Sequence, residues 1–125
     1  MEPLSEEQTN QLIVIVSDLA RQGRTEELLE FFRHGLPVDV QDPEGNTPLM
    51  LAAYHGRAET VRALIGLGAD IDLRNRRDQS PVAGALFKGE DAIVAALIAA
   101  GADLDAGTPS ARAAAEMFGR TALLG

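Results

Sequence analysis

The chain has no cysteine and no tryptophan, and only four Phe and one Tyr among its 125 residues. Without cysteine it can form no disulfide, no thiolate nucleophile, no zinc ribbon and no iron–sulfur cluster. The apolar side chains are mostly those of Ala and Leu. This composition predicts a core of small and branched side chains without large aromatic platforms.

Basic residues and long apolar runs are also scarce. Eleven Lys and Arg stand against 19 Asp and Glu, for a net charge of −8. Nucleic acids and anionic membranes are bound by clustered cations, so neither is an expected partner. No apolar run approaches the roughly 18 residues that a membrane span requires, and the acidic segment Met1–Glu7 is unlike a secretory signal. We therefore expect a cytoplasmic protein.

What the chain does have is an internal repeat with a period of 33 residues. When residues 41–73 are aligned with residues 74–106, eleven positions are identical, whereas unrelated windows of this composition share about three. Residues 8–40 hold a weaker copy in the same register. The length fits one domain over residues 1–125, and the repeat predicts that this domain is a stack of similar units.

Each unit carries turn and helix signals in a fixed order. Asp42-Pro43-Glu44-Gly45 has the residue types of a type I turn. Thr47 follows as a helix N-cap, with Pro48 at the first helical position. Gly56 ends this first helix, and Gly68 fits the left-handed position that ends a second helix. The order is therefore turn, helix, turn, helix.

Apolar residues recur at helical spacing in both helices of a unit. Leu49, Ala52 and Ala53 give the first helix a narrow apolar face. Leu64 and its counterpart Leu97 hold the same inward position of two second helices. Units this thin cannot bury their apolar faces alone, so neighbours must stack.

The middle copy, with the residues just named and a closing Gly68-Ala69-Asp70-Ile71-Asp72, resembles an ankyrin repeat of the small bacterial type. The resemblance covers about residues 8–122. It implies an all-α solenoid of about four stacked helix-turn-helix units with β-turn fingers, at about 5–40, 41–73, 74–106 and 107–125. The family usually has His after Thr-Pro-Leu, where it ties neighbouring repeats. Met50 and Ala83 stand there, so we expect that hydrogen-bond network to be absent.

The first and last units have the features of capping units. Ser5-Glu6-Glu7-Gln8 is a capping box that predicts a helix to about Gln22, although the β-branched residues of Ile13–Val16 favour a strand by propensity. Ser110–Phe118 predicts a short Ala-rich helix. Because only Arg120–Gly125 follow, we expect a truncated second helix in the last unit.

Residue patterns for catalysis or metal binding are weak. His34 and His55 fall at different repeat positions, whereas a metal site needs several converging ligands. Asp70-Ile71-Asp72 and Asp103-Leu104-Asp105 look like paired carboxylates, but the resemblance assigns them to the loop between repeats. No serine lies in a nucleophile elbow, and the glycines form no phosphate-binding loop. We predict no enzyme activity and no metal or cofactor.

The resemblance implies that a partner protein meets the turn tips and the concave face of the first helices. Five of the eleven basic residues and the only Tyr lie at these positions, and Tyr, Phe and Arg often anchor interfaces. The residues that we predict to bind a partner are Arg21, Glu44, Asn46, Tyr54, His55, Arg74, Arg76, Arg77, Gln79, Phe87 and Lys88.

Two alternatives compete with this interpretation. Arg74-Asn75-Arg76-Arg77 could be a solvated turn that balances Asp72 and Asp78. The rings of Tyr54 and Phe87 could pack edge-on against the next repeat. Either arrangement would need no partner.

The expected function is that of a monomeric protein-binding module, an adaptor or scaffold. An inhibitor or immunity-type protein that blocks a partner enzyme is the alternative, and an enzyme is disfavoured. An acidic outer flank opposite the basic strip favours a partner with an acidic surface. This flank comprises Glu26, Glu27, Glu30, Glu59, Glu90 and Asp91.

Overall fold

The computed structural model describes residues 3–125, which form helices joined by turns. The helices are α1 Glu6–Gln22, α2 Thr25–Arg33, α3 Pro48–Tyr54, α4 Ala58–Gly66, α5 Pro81–Phe87, α6 Asp91–Ala99, α7 Ala111–Met117 and a closing 3-10 helix, Thr121–Leu124. No β-strand occurs in this part of the chain. The all-α prediction is therefore confirmed.

The first helix of every pair begins at a hydroxyl side chain that accepts a backbone N–H from three residues further on. These N-caps are Ser5, Thr47, Ser80 and Ser110. At Ser5 the capping box is complete, since Gln8 Oε1 accepts the Ser5 N–H at 2.9 Å. The caps and the stacking of α1 against α3 outweigh the strand propensity of the β-branched centre of α1, and the predicted helix is confirmed.

The second helices begin two residues after a linker glycine, and their N-cap residues make no side-chain cap hydrogen bond. Gly56 adopts a φ of 75°, which permits the Arg57 N–H to donate back to Ala52 O at 2.8 Å. A Cβ on Gly56 would also lie 2.8 Å from a carboxylate oxygen of Glu90 in the next pair. Glycine is favoured here by the backbone angle, and the Glu90 side chain occupies the space that a Cβ would reach.

Stacking places α1, α3, α5 and α7 side by side in chain order, with α2, α4 and α6 packed behind them. Since α3 has neighbours on both sides and behind, all of Pro48–Ala53 is buried. The narrow apolar face expected for this helix is therefore wrong, because it is buried almost all round. The core is aliphatic, and its largest side chains with at most 1% exposure include Leu28, Leu49, Leu64, Leu86, Ile93 and Leu97.

Carboxylates tie successive loops together on the outer side of the stack. Asp39 Oδ1 accepts the Asp70 N–H at 3.0 Å, and Asp72 Oδ1 accepts the Asp103 N–H at 2.8 Å. Within each loop, Asp70 Oδ1 accepts the Asp72 N–H and Asp103 Oδ1 accepts the Asp105 N–H. The structural role expected for these paired carboxylates is confirmed.

The position at which the family usually has His is occupied by an apolar contact. Met50 is 5% exposed, and a Cβ on Gly84 of α5 would lie 3.6 Å from its sulfur. Its N–H donates to the Thr47 hydroxyl at 3.1 Å. Dispersion contacts therefore join α3 to α5 at this point.

The last pair departs from the others. The predicted Ala-rich helix is present as α7, capped by Ser110. A single 3-10 turn, Thr121–Leu124, stands where the other pairs have a nine-residue second helix. Within residues 3–125, no helix has both the length and the hydrophobicity needed to cross a membrane.

Leu64 tests the stacking of the core. Leu64→Ala should lower the free energy of unfolding by about 2–5 kcal/mol, because the surrounding helices close such a cavity only in part. Leu67 is 45% exposed and provides the control, since Leu67→Ala should change stability by less than about 0.5 kcal/mol. Urea denaturation followed by circular dichroism measures both. An unchanged midpoint for Leu64→Ala would show that the packing is wrong.

Asp72 tests the hydrogen bonds between loops. Asp72→Ala should destabilise the chain by about 1 kcal/mol, because the bond to the Asp103 N–H is lost. Asp72→Asn keeps an acceptor oxygen at the same place and should retain most of that stability. Thermal melts of the two variants compare them directly. Equal destabilisation by both substitutions would indicate that the carboxylate acts through its charge and not through this hydrogen bond.

Candidate functional site

Two turn tips, the second and third fingers, share one geometry. In the second finger, Asp42 Oδ1 accepts the N–H groups of Glu44 and Asn46, both at 2.9 Å. The Gly45 N–H donates to Asp42 O at 2.8 Å and closes the predicted turn. These bonds hold the backbone of Glu44 and Asn46, two predicted binding residues, in a fixed position.

In the third finger, Asn75 takes the place of that aspartate. Asn75 Oδ1 accepts the N–H groups of Arg77 and Gln79 at 3.0 Å each. Its amide nitrogen donates to Gln79 Oε1 at 2.8 Å. Asn75 is not among the binding residues predicted from the sequence, although its alignment with Asp42 was a signal for this role.

The two fingers are bonded directly to each other. The Arg76 N–H donates to Glu44 O at 3.0 Å, and Asn75 Nδ2 donates to Asn46 Oδ1 at 2.8 Å. A Cβ on Gly45 would lie 2.8 Å from the Arg76 nitrogen, so only glycine permits this contact. The finger residues of neighbouring repeats therefore keep a fixed spacing.

The arginines of the third finger differ in their partners. Arg74 lies 3.2 Å from the Asp78 carboxylate, which also accepts the Thr108 hydroxyl at 2.7 Å. For Arg74, the alternative of a charge-balanced turn is therefore supported. Arg76 and Arg77 have no carboxylate within ion-pair distance among residues 3–125. Their charges face solvent and are available to a partner.

Aromatic rings form a continuous row along the ends of the first helices. The rings of Tyr54 and Phe87 are stacked, with centroids 6.4 Å apart and an interplanar angle of 9°. The Phe118 ring meets Phe87 edge-on at 5.7 Å. Lys88 Nζ lies 5.0 Å from the centroid of the Tyr54 ring, a cation–π distance.

The geometry of this row corrects two expectations. The usual spacing of packed helices predicts a separation of about 10 Å between the side chains of Tyr54 and Phe87. Their ring centroids are closer than this because the two rings stack on each other. The edge-on alternative is wrong for this pair and applies instead to Phe87 and Phe118. Phe87 remains 61% exposed, so stacking leaves most of its surface accessible.

A polar cavity of about 260 Å³ lies beside Tyr54, between the two fingers and the first helices. Seven of the eleven residues predicted to bind a partner line this cavity, together with Met50 and Leu51. The seven are Arg21, Glu44, Asn46, Tyr54, His55, Arg77 and Gln79. Phe87 and Lys88 join this group through Tyr54, whereas Arg76 lines a neighbouring groove.

Arg21 contributes less charge to the cavity than the sequence suggests. Its guanidinium lies 2.8 Å from the Asp18 carboxylate and 3.8 Å from that of Asp42. Its carbonyl oxygen accepts Arg57 Nε–H at 2.7 Å. Arg21 therefore also joins the first unit to the second.

The cationic surroundings act on His55. Partial burial lowers the pKa of this imidazole below its ordinary 6.5, and the charges of Arg21, Arg57 and Lys88 lower the pKa further. Its ring contacts Tyr54 edge-on at 5.7 Å. His55 is therefore mainly neutral at pH 7 and completes the row as an aromatic side chain.

Sequence reasoning missed Phe118, whose ring meets Phe87 in the row, and its chain neighbour Met117. Met117 and Phe118 are 67% and 41% exposed. Aligning the helix caps Ser80 and Ser110 places Met117 at the position of Phe87, so the signal was present. Because the turn before the last unit is shorter, the 33-residue period does not align Met117 with Phe87, and the match is not seen by comparing units at that period.

The described side chains of this face do not form a metal site. Among residues 3–125, no three His, Asp or Glu side chains converge at a distance suited to a shared ion. The donors on this face are instead scattered around the cavity and along the fingers. The arrangement offers cations, amides and aromatic surface, which suit recognition of another macromolecule.

A titration of His55 tests its surroundings. Because the pKa is lower in the folded chain, the unfolded chain binds more protons near pH 6, and the contribution of His55 to stability is lost as pH falls. Arg21→Gln should raise the pKa toward 6.5, whereas Arg62→Gln should leave it unchanged. The His55 ring resonances followed by NMR report both midpoints. A downward shift in Arg21→Gln would contradict this electrostatic environment.

Comparisons with known proteins agree with this geometry. A family model described as ankyrin repeats, in three copies, matches residues 16–108. A relative from Pseudomonas aeruginosa, named as ankyrin repeat protein PA3287, is 42% identical over 48 residues. That match covers 38% of this chain and 28% of the relative's length. The finger turns, the glycine-linked helical pairs and the match over most of the chain show that this protein belongs to the ankyrin repeat family.

Proposed function

We propose that this chain is an adaptor or scaffold that binds one partner protein through a single surface. Ankyrin repeats are generally protein–protein interaction modules. We call the proposed surface the binding strip, and it consists of Tyr54, His55, Phe87, Lys88 and the finger residues Arg76 and Arg77. The observation that carries the proposal is the stacking of Tyr54 on an exposed Phe87, beside cations that form no ion pair with residues 3–125.

The distribution of ion pairs supports the choice of face. On the acidic outer flank, Glu26 and Glu30 face Arg33, and Glu27 faces Arg24. Asp91 also faces Arg120, so four of the six flank carboxylates have an arginine partner within the chain. Arg76 and Arg77 on the binding strip are not paired in this way, so an acidic partner surface would find its complement here.

The proposed role includes no catalysis. The repeats of this family are typically non-catalytic, and the strip offers hydrogen-bond and aromatic surface without a nucleophile next to a base. The cytoplasmic location and the monomeric state expected from the sequence stay predictions. Cell fractionation and sedimentation of the purified chain test these two expectations.

Recovery of the partner separates the two roles left open by the sequence. The immobilised chain captures proteins from a lysate, and mass spectrometry identifies those lost with the variant Tyr54→Ala. An enzyme recovered active supports an adaptor or scaffold. An enzyme recovered inactive, and reactivated on release, supports the inhibitor alternative.

Binding kinetics with that partner test the strip. Arg76→Glu with Arg77→Glu should slow association, and the effect should shrink as salt rises, because exposed charges steer encounter. Folding should be unaffected, since exposed turn charges contribute little to stability. Tyr54→Ala should mainly speed dissociation, by about tenfold or more, because an anchor is lost.

Biolayer interferometry measures the association and dissociation rate constants of these variants. The acidic flank provides the control. Replacing Glu26, Glu27 and Glu30 by Gln should leave both rate constants near those of the parent. The proposed face is wrong if this triple variant loses binding while the strip variants bind like the parent.

A further inference from the structure

The last helical pair adds an exposed apolar cluster to one end of the binding strip. Phe87, Met117 and Phe118 are 61%, 67% and 41% exposed, and the rings of Phe87 and Phe118 touch edge-on. We call these three residues the anchor cluster. Grouped apolar side chains of this size on an otherwise acidic chain mark a surface that another molecule covers.

Phe87 lies inside the array, so the exposure of its ring is not caused by an end of the array, whereas Met117 and Phe118 belong to the last pair. Phe87 closes α5, which has α3 on one side and α7 on the other. Val14 and Ile15, which are also exposed, belong to α1, the first helix of the stack, which has another first helix on one side only. Phe87 has neighbours on both sides and still directs most of its ring to solvent.

Charge changes sharply next to the anchor cluster. Lys88 follows Phe87 directly and lies over the Tyr54 ring at 5.0 Å. Tyr54 in turn lines the polar cavity together with Arg77. Glu44 is the carboxylate of that cavity, and within residues 3–125 it forms no ion pair with Arg77 or Lys88. Apolar surface and accessible cations thus adjoin along one continuous row.

We propose that the anchor cluster and these cations together bind an acidic peptide segment of the partner. A bulky apolar side chain of that segment packs on Phe87, Met117 and Phe118. Its carboxylates lie along the row toward Lys88 and Arg77. Charge complementarity with the cations favours an acidic segment over a basic or neutral one. The exposed edges and faces of the Phe rings favour contact with an aromatic or branched aliphatic side chain. The inference rests on the proposed function, because it uses one end of the same strip.

Selection from a phage-displayed library of random peptides on the immobilised full chain tests the chemistry of the occupant. Enriched peptides should combine a bulky apolar residue with nearby Asp or Glu and carry net negative charge. Enrichment of basic peptides, of peptides without a bulky apolar residue, or of no peptide at all would overturn the proposal.

Substitutions then locate the selected peptide, synthesised with a fluorophore, by fluorescence anisotropy. Phe118→Ser should weaken binding by about tenfold or more, and Met117→Ser, at a more exposed site, by a few-fold without a folding defect. Arg77→Glu should weaken binding severalfold at low salt and less at high salt. Leu67→Ser provides the matched control, since Leu67 is 45% exposed on the other helix layer. Thermal melts check that each variant is folded.

The outcomes separate this inference from the proposed function. If Tyr54→Ala and Arg77→Glu weaken peptide binding but Phe118→Ser and Met117→Ser do not, the strip binds and the anchor cluster does not. If none of these variants differs from Leu67→Ser, the peptide binds elsewhere and both proposals fail. Loss of binding in the anchor variants alone would leave Arg77 without a role and overturn the proposal that the cluster and the cations bind the peptide together.

Discussion

A single helical pair is too thin to bury its own apolar side chains. Neighbouring pairs bury them by stacking, and the other features of the structure depend on this stacking. The pairs contain few residues of large volume, so Leu28, Leu64 and Leu97 reach full burial only between neighbouring units. Stacking also explains why α3 is buried almost all round although its length is only seven residues. The hydrophobic effect therefore acts across repeats as much as within them.

Once the helices are stacked, the polar groups at their edges must find partners, and they do so in a repeating way. Hydroxyl caps satisfy the first helices, and linker glycines let the chain turn back into the second. Thr25 and Thr60 share a buried hydrogen bond of 2.7 Å between α2 and α4. Because these groups are satisfied at each junction, neighbouring repeats keep a fixed distance and angle.

The binding strip is a consequence of that regular spacing. The residues at the end of each first helix lie on one face of the stack, and the distance between them is set by helix packing. Tyr54 and Phe87 are therefore close enough to stack. The fingers are bonded through Asn75 and Asn46, which holds Arg77 beside the cavity.

Local signals in the sequence determined the repeat length, the caps, the turn in the second finger and the helical pairs, because each depends on residues a few positions apart. They also determined which positions face the strip, since the period carries them to the same place in every unit. Which partners the surface side chains contact was decided by the tertiary structure alone. It paired Arg74 with Asp78, and among residues 3–125 it left Arg76 and Arg77 without a carboxylate within ion-pair distance. It also stacked two rings and brought Phe118 against Phe87 despite the shifted register. These outcomes depend on distances between repeats, which arise only when residues far apart in the chain are packed together.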